Sequence, residues 1–267
     1  MLVAARHEIV PLRAVEAQLD HLPPGSTVTV TTSPRLGLDR TLEYTRLLTA
    51  RGFDAVPHLA ARDLADERHL ERTLAEFRTT GVRDLFVIGG DGYDGRGAYG
   101  SAVDVVDSLG RCDHGLSRIG VAAYPEGHPA IPNVELLRAL LRKQAVAHYM
   151  VSQICFDPIH LVDWLYRLRA RGVHLPLYVG IPGALRRAKL LELSFKLGVG
   201  PSVRYLSKNR GLVTGLARPG TYQPGAIVAG ISEALDDPDL RIAGFQVFTF
   251  NEIARTVGWE HRATATG

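Results

Sequence analysis

Seven polar side chains stand in the same kind of place along this chain. Glu8, Thr31, His58, Asp91, Tyr124, Gln153 and Asn251 each close or follow a short apolar run rich in β-branched residues. Polar residues at the ends of such runs are expected where strands leave a core, and convergent strand ends make a reaction site. Glu8 lies between Leu2–His7 and Ile9-Val10-Pro11. A carboxyl in apolar company is costly to ionise, which raises its pKa and suits it to act as a general acid near neutrality. The alternative is a first-strand glutamate facing solvent.

Asp91 sits in Gly89-Gly90-Asp91-Gly92, where glycines would let backbone approach a flat ligand with a carboxylate beside it. It reads equally as a turn former. Gly90, Gly92 and Gly95 satisfy G-x-G-x-x-G, but no helix is predicted to start at the third glycine and the site follows a fourth strand. A dinucleotide-fold fingerprint is therefore rejected. His58, His128, Asp91 and Glu126 have metal-ligand chemistry without chelating spacing, so no metal is expected. Arg186, Arg187 and Lys189 begin a predicted helix after the seventh strand, where barrels often hold phosphate. A solvated helix face explains them as well.

The elements that must position these residues alternate. Apolar runs at Leu2–Val10, Thr27–Thr32, Asp54–Ala60, Asp84–Gly89, Arg118–Tyr124, Tyr149–Phe156, Leu175–Ile181 and Phe245–Phe250 read as eight strands covered on both faces. Amphipathic stretches at Asp39–Ala50, Asp63–Thr79, Ser101–Leu109, Asn133–Ala145, Pro158–Arg171, Ala184–Leu197 and Ala226–Leu235 read as helices. Gly52, Gly81, Gly172 and Gly198 mark stops, while Asp39, Asn133 and Asp157-Pro158 mark starts. This predicts an α/β fold, a single-domain (βα)8 barrel over 1–267, with an open doubly wound sheet as runner-up. The Gly- and Pro-rich stretch Pro201–Pro224 reads as an irregular insertion before the last strand.

Composition bounds the class. The chain has 267 residues, a length typical of one α/β barrel, and 31 basic residues are offset by 28 acidic ones. Only four of the basic residues are lysines, and no basic stripe alternates with aromatics, so nucleic acid is not an expected partner. Cys112 and Cys155 lack metal or disulfide spacing, and Cys155 reads as a buried, inert thiol. Arg6, His7 and Glu8 interrupt the only apolar stretch at the N-terminus, so no signal peptide is expected there. No stretch reaches the ~20 apolar residues of a membrane span. A cytoplasmic protein is expected, and a homo-oligomer is left open.

At this point the segments resemble a known family. Val121-Ala122-Ala123-Tyr124-Pro125-Glu126-Gly127-His128-Pro129 resembles the fifth-strand signature of methylenetetrahydrofolate reductases. Glu8-Ile9-Val10-Pro11, Val56-Pro57-His58-Leu59, Gly89-Gly90-Asp91, Gln153-Ile154-Cys155-Phe156-Asp157 and Phe245-Gln246-Val247-Phe248-Thr249-Phe250-Asn251 resemble its other strand tips, in order, over nearly the whole chain. The resemblance implies a (βα)8 barrel that makes 5-methyltetrahydrofolate from a folate substrate. It implies Glu8 as the acid that opens the imidazolidine ring, with Asp91 and Gln153 at the pterin. Phe248 and Asn251 are implied on the substrate side, and Thr31, His58, Gly90, Tyr124, His128 and Lys143 along the cofactor groove.

Departures qualify it. Gly89 stands where most members carry an arginine that holds FAD, and Leu136 and Ala139 stand near their adenosine contacts. Glu252 replaces an arginine beside Asn251. The chain is similar in these respects to the smaller actinobacterial members considered flavin-independent. The resemblance then implies hydride transfer directly from NADH, or NADPH, to the methylene carbon, with FAD absent. An FAD-dependent reductase and a non-catalytic folate-binding subunit are the alternatives.

Overall fold

In a computed structural model, residues 5–32, 35–91, 97–187, 189–190 and 220–265 are described. Eight parallel strands close into a barrel in the order β1-β10-β7-β6-β5-β4-β3-β2. They are β1 (Arg6–Ile9), β2 (Thr27–Val30), β3 (Asp54–Ala60), β4 (Asp84–Ile88), β5 (Arg118–Ala123), β6 (Tyr149–Ser152), β7 (Leu177–Pro182) and β10 (Ile242–Phe248). A two-stranded antiparallel sheet, β8 (Leu185–Arg186) and β9 (Thr221–Tyr222), stands outside it. Helices α1 (Gly37–Ala50), α2 (Glu67–Thr79), α3 (Ala102–Leu109), α4 (Asn133–Lys143), α5 (Pro158–Ala170), α6 (Gly225–Gly230), α7 (Ser232–Leu235) and α8 (Ile253–Ala265) accompany the strands. The expected barrel is present and closed, so the open sheet is set aside.

The strand faces explain the architecture. Outward residues such as Leu59, Leu85, Val87, Ile119, Val121, Val179 and Val247 are buried in one cluster with Leu70, Leu74, Phe77, Val105, Leu161 and Leu165 of the helices. A second cluster joins Ile9, Val28 and Val30 to Tyr44 and Leu48 of α1 and Ile253 and Val257 of α8. Val15 and Leu19 enter that cluster from a 3-10 helix at Arg13–His21.

Local signals place the helices. Asp157 Oδ1 accepts from the amides of Ile159 and His160 at 3.0 and 3.1 Å, with Pro158 at the first position, so α5 starts as expected. Asp66 caps α2 in the same way, 2.7 Å from the His69 amide. Asp39 and Asn133 do not cap: α1 begins two residues before Asp39, and Asn133 is the first residue of α4 after Pro132. The expected helix at 184–197 starts late: Leu185–Arg186 form strand β8, paired with β9, and Arg187, Lys189 and Leu190 after it are helical. Residues 191–219, which hold Gly198 and most of the expected insertion, lie outside the described residues, as do Gly92 and Gly95.

The barrel interior is filled in layers. At its N-terminal end Arg6 Nη2 donates to Asp84 Oδ2 at 3.1 Å and to the Tyr149 hydroxyl at 2.8 Å. Tyr149 donates to Asp84 Oδ1 at 2.8 Å. The Arg6 guanidinium also lies 4.5 and 4.9 Å from the Tyr149 and Tyr178 ring centres, and Arg118 donates to the Tyr178 hydroxyl at 3.0 Å. Gly120 makes this layer possible, because a Cβ there would lie 2.2 Å from Tyr149 Cζ.

Candidate active site

One layer above that plug, nearer the C-terminal rim, the interior changes character. Glu8 (β1), Thr29 (β2), His58 (β3) and Gln246 (β10) meet there. Gln246 Nε2 lies 3.1 Å from Glu8 Oε2 and 2.6 Å from Thr29 Oγ1. His58 Nε2 lies 3.8 Å from Glu8 Oε2, too long for a hydrogen bond. The Glu8 side chain is only 14% exposed.

Burial pushes the Glu8 carboxyl up to about 8, opposed only in part by the Gln246 hydrogen bond. Burial, with the Arg6 charge nearby, pushes His58 down to about 3. Both groups are therefore neutral near pH 7, and their approach is not an ion pair. A protonated carboxyl at the inner end of an open barrel face is a general acid in waiting.

The backbone around Glu8 is tied down by side-chain hydrogen bonds. Its carbonyl accepts from Thr249 Oγ1 at 2.6 Å. The Asn251 side chain clasps the Val10 backbone on both sides, Oδ1 accepting from the amide and Nδ2 donating to the carbonyl, each at 2.9 Å. To do this Phe250 and Asn251 both adopt positive φ, 47° and 64°. Asparagine tolerates that region, whereas phenylalanine there is strained and must be held by its surroundings.

The sequence-derived candidates fall into two groups and some outliers. Phe248 is the register partner of Glu8 across β10–β1. Gly180 on β7 leaves the space in which the Phe248 ring and the Gln153 backbone meet: a Cβ there would lie 2.9 Å from Phe248 Cε2 and 3.2 Å from the Gln153 carbonyl carbon. Gln153 follows β6 directly, its Oε1 accepting from the Ile154 amide at 2.9 Å. Glu8, Phe248 and Gln153 thus belong to one side of the mouth.

The other side holds Gly90, Asp91, Tyr124 and His128. The Tyr124 and His128 rings meet edge to face at 5.2 Å, and burial followed by the Asp91 charge raises the Tyr124 phenol. Gly90 has φ 82°, and a Cβ would lie 2.9 Å from Ala60 Cβ, so the β4 exit is pressed against β3 where only glycine fits. Asp91 itself is exposed. Arg62 leans over this exit, donating to the carbonyls of Gly90 at 2.8 Å and Gly100 at 3.2 Å.

His58 is not at a strand end. It lies inside β3, which runs on to Ala60, and so joins Glu8 rather than the rim. Thr31 follows β2 at the rim, its amide on the Ile9 carbonyl. Lys143 stands apart, buried at the end of α4 with Nζ 3.4 Å from the Ala122 carbonyl, and burial lowers its ammonium to about 8. Asn251 is committed to the backbone of Val10. Lys189 is bound to the Phe250 carbonyl at 2.8 Å and to Glu252, while the Arg187 amide joins Gly220. Cys155 is buried against Glu126, its thiol raised further by burial.

Gln246 and Thr29 were not singled out from the sequence. The available signal was a glutamine within the apolar run Phe245–Phe248, two residues before Phe248 and on its face of the strand. Among the described residues no group of three His, Cys, Asp or Glu side chains is placed to hold a metal ion, and no helix is long and apolar enough to cross a membrane.

A sequence model described as methylenetetrahydrofolate reductase matches residues 15–191. Methylenetetrahydrofolate reductase 1 of Schizosaccharomyces pombe is 25% identical over 150 residues, 51% of this chain and 25% of that protein. Methylenetetrahydrofolate reductase 2 of Saccharomyces cerevisiae is 34% identical over 86 residues, 28% of this chain and 14% of that protein. The matches therefore span a quarter or less of these curated relatives. Among solved structures, a Burkholderia cenocepacia J2315 protein described as a lyase/mutase superposes with TM-score 0.51 over 98% of this chain and 82% of that one. At 13% identity it speaks for the barrel fold alone. With the family's sequence model matching more than half of its length, the chain belongs to the methylenetetrahydrofolate reductase family.

Proposed function

We propose that the chain reduces 5,10-methylenetetrahydrofolate to 5-methyltetrahydrofolate, with hydride passing directly from NADH or NADPH and no flavin between. The observation that carries the ring-opening step is Glu8 itself, largely buried at the inner end of the barrel mouth with the Gln246 amide 3.1 Å away and no cation against it, so that burial pushes its carboxyl up to about 8. Glu8 gives its proton to N10 of the folate as the methylene C–N10 bond opens, which leaves an electrophilic iminium at N5. The nicotinamide supplies the hydride that adds to the methylene carbon. Gln153 and Phe248, joined to Glu8 across β6, β7 and β10, offer an amide and an aromatic face to a flat pterin. Asp91 is assigned to the pterin from the opposite rim.

Thr31, His58, Gly90, Tyr124 and His128 are assigned to the groove for the dinucleotide. Lys143 adds a positive charge from behind β5, through the Ala122 carbonyl. Asn251 serves the substrate side indirectly, by fixing the chain that carries Glu8 and Phe248.

Among the described residues, the fit to tightly held FAD is poor. Gly89 offers no cation at the β4 exit, and a side chain there would meet open space. Arg62 nearby is engaged with two backbone carbonyls, and Leu136 and Ala139 on α4 bring no polar group. A diphosphate held without a dedicated cation is bound weakly, which suits a nucleotide that must leave after each turnover.

The test is an anaerobic assay of the purified protein with 4-deuterated NADH, read with its visible spectrum. A colourless protein that places deuterium in the product methyl group is expected. Stoichiometric flavin absorbance would favour the FAD-dependent reading. Folate binding with no turnover would leave an accessory subunit.

A further inference from the structure

We propose that Gln246 is the positioning residue for the Glu8 acid, serving that carboxyl in both its protonation states through one amide. The inference rests on the reading of Glu8 given above. Gln246 is 2% exposed, on β10 between β1 and β7, and it is the only side chain hydrogen-bonded to the Glu8 carboxyl among the described residues.

An acid that turns over must be held both with and without its proton, and a donor counts for more towards the charged carboxylate than an acceptor does towards the neutral acid. A carboxylate needs a donor, whereas the protonated carboxyl needs an acceptor for its O–H. An amide carries both at the same reach and exchanges them by a half-turn of its terminal group. In the arrangement seen, Nε2 faces Glu8 and Thr29, and Oε1 is buried with no hydrogen-bond partner. The half-turn places Oε1 against the Glu8 O–H instead. The other neighbour, Thr29, can follow either arrangement, since a hydroxyl accepts or donates by rotation. Each orientation leaves one amide atom without a partner, so neither is locked in, as a group that follows a proton requires.

The remaining ionisable groups do not compete for this role. His58, from β3, is 3.8 Å away with its Nε2 unpartnered. Arg6, Asp84 and Tyr149 are bound to one another in the layer below.

Gln246→Met keeps the length and removes both hydrogen-bonding atoms. Gln246→Asn keeps the amide but withdraws it by one methylene, and it decides the matter if the Met variant does not fold. Two readouts are needed: the pH profile of kcat/KM for the NADH-driven reaction, and a 13C-NMR titration of the Glu8 carboxyl in the free protein. Losing the donor is expected to move the Glu8 midpoint upward by about one unit in both readouts. kcat should fall roughly tenfold, with KM for the folate little changed. A merely structural glutamine would lower thermal stability and leave the midpoint where it was, and that result in a folded variant overturns the proposal. The titration needs no substrate, so it still judges Gln246 if Glu8→Gln turns out fully active and the catalytic reading fails.

Discussion

The two layers inside this barrel bury similar groups and treat them in opposite ways. The lower layer contains Arg6, Asp84, Tyr149 and Tyr178, with the carboxylate bound to a guanidinium and a phenol and the guanidinium lying over two aromatic rings. The upper layer contains Glu8, His58, Gln246 and Thr29, with no cation against the carboxyl. Burial raises both carboxyls, but below it is opposed by Arg6, Tyr149 and Arg118, whereas above only the Gln246 amide opposes it. A scaffold that closes its bottom with an ion pair can leave its top with a carboxyl free to hold or release a proton.

The largest expected effect is on that proton. Glu8→Gln should reduce turnover by about 10²–10⁴-fold, the usual worth of a general acid, measured as NADH oxidation with methylenetetrahydrofolate. The fold should survive, because the substituted amide is neutral like the acid it replaces.

Arg6→Met tests the other layer. It strands Asp84 without its nearest cation, and denaturant unfolding should show a loss of about 3–5 kcal/mol. The double variant Arg6→Met/Asp84→Leu should recover most of it. If the single variant costs nothing, the layers do not differ as described.

A smaller effect is expected at Asn251. Asn251→Ala loses both bonds to Val10 and places a Cβ residue without a polar side chain at φ 64°, for a cost of about 1–3 kcal/mol. The Glu8 frame should loosen with it, so activity should fall more than stability alone accounts for.

A further effect is a slope in pH. Glu8 ionises near 4.5 in its ordinary state and about 8 in the fold, so between those values the native protein holds an extra proton and loses stability as pH rises. His58 runs the other way. Its pKa falls from 6.5 to about 3, so its share is complete above pH 6.5 and is lost as pH falls toward 3. Glu8→Gln removes only the first slope. Its melting temperature relative to wild type should therefore climb between about pH 5 and 8, as followed by calorimetry.

The upper layer was half legible in the sequence, and the reasons are physical. Parallel strands covered on both faces are continuous apolar runs, so β3 was placed to the residue and the closed barrel followed. The run at Tyr149–Phe156 extends past the strand because Ile154, Cys155 and Phe156 stay buried after β6 ends at Ser152. Helix α8 was not read, although Ile253 and Val257 repeat at helical spacing. Looking for one polar residue at each strand end places Gln153 just after β6, but it puts Glu8 and His58, which lie inside β1 and β3, at the rim and passes over Gln246. Inward polar residues inside a strand carry no punctuation. Which of them meet is decided by register across the closed barrel, and single-strand patterns do not contain that.

The most direct test of the contrast between the layers is an infrared difference titration of wild type against Glu8→Gln. A protonated-carboxyl band is expected at neutral pH, disappearing with a midpoint near 8. A Glu8 already ionised at neutral pH, with an ordinary carboxylate midpoint, would contradict both the upper layer as described and the acid role built on it.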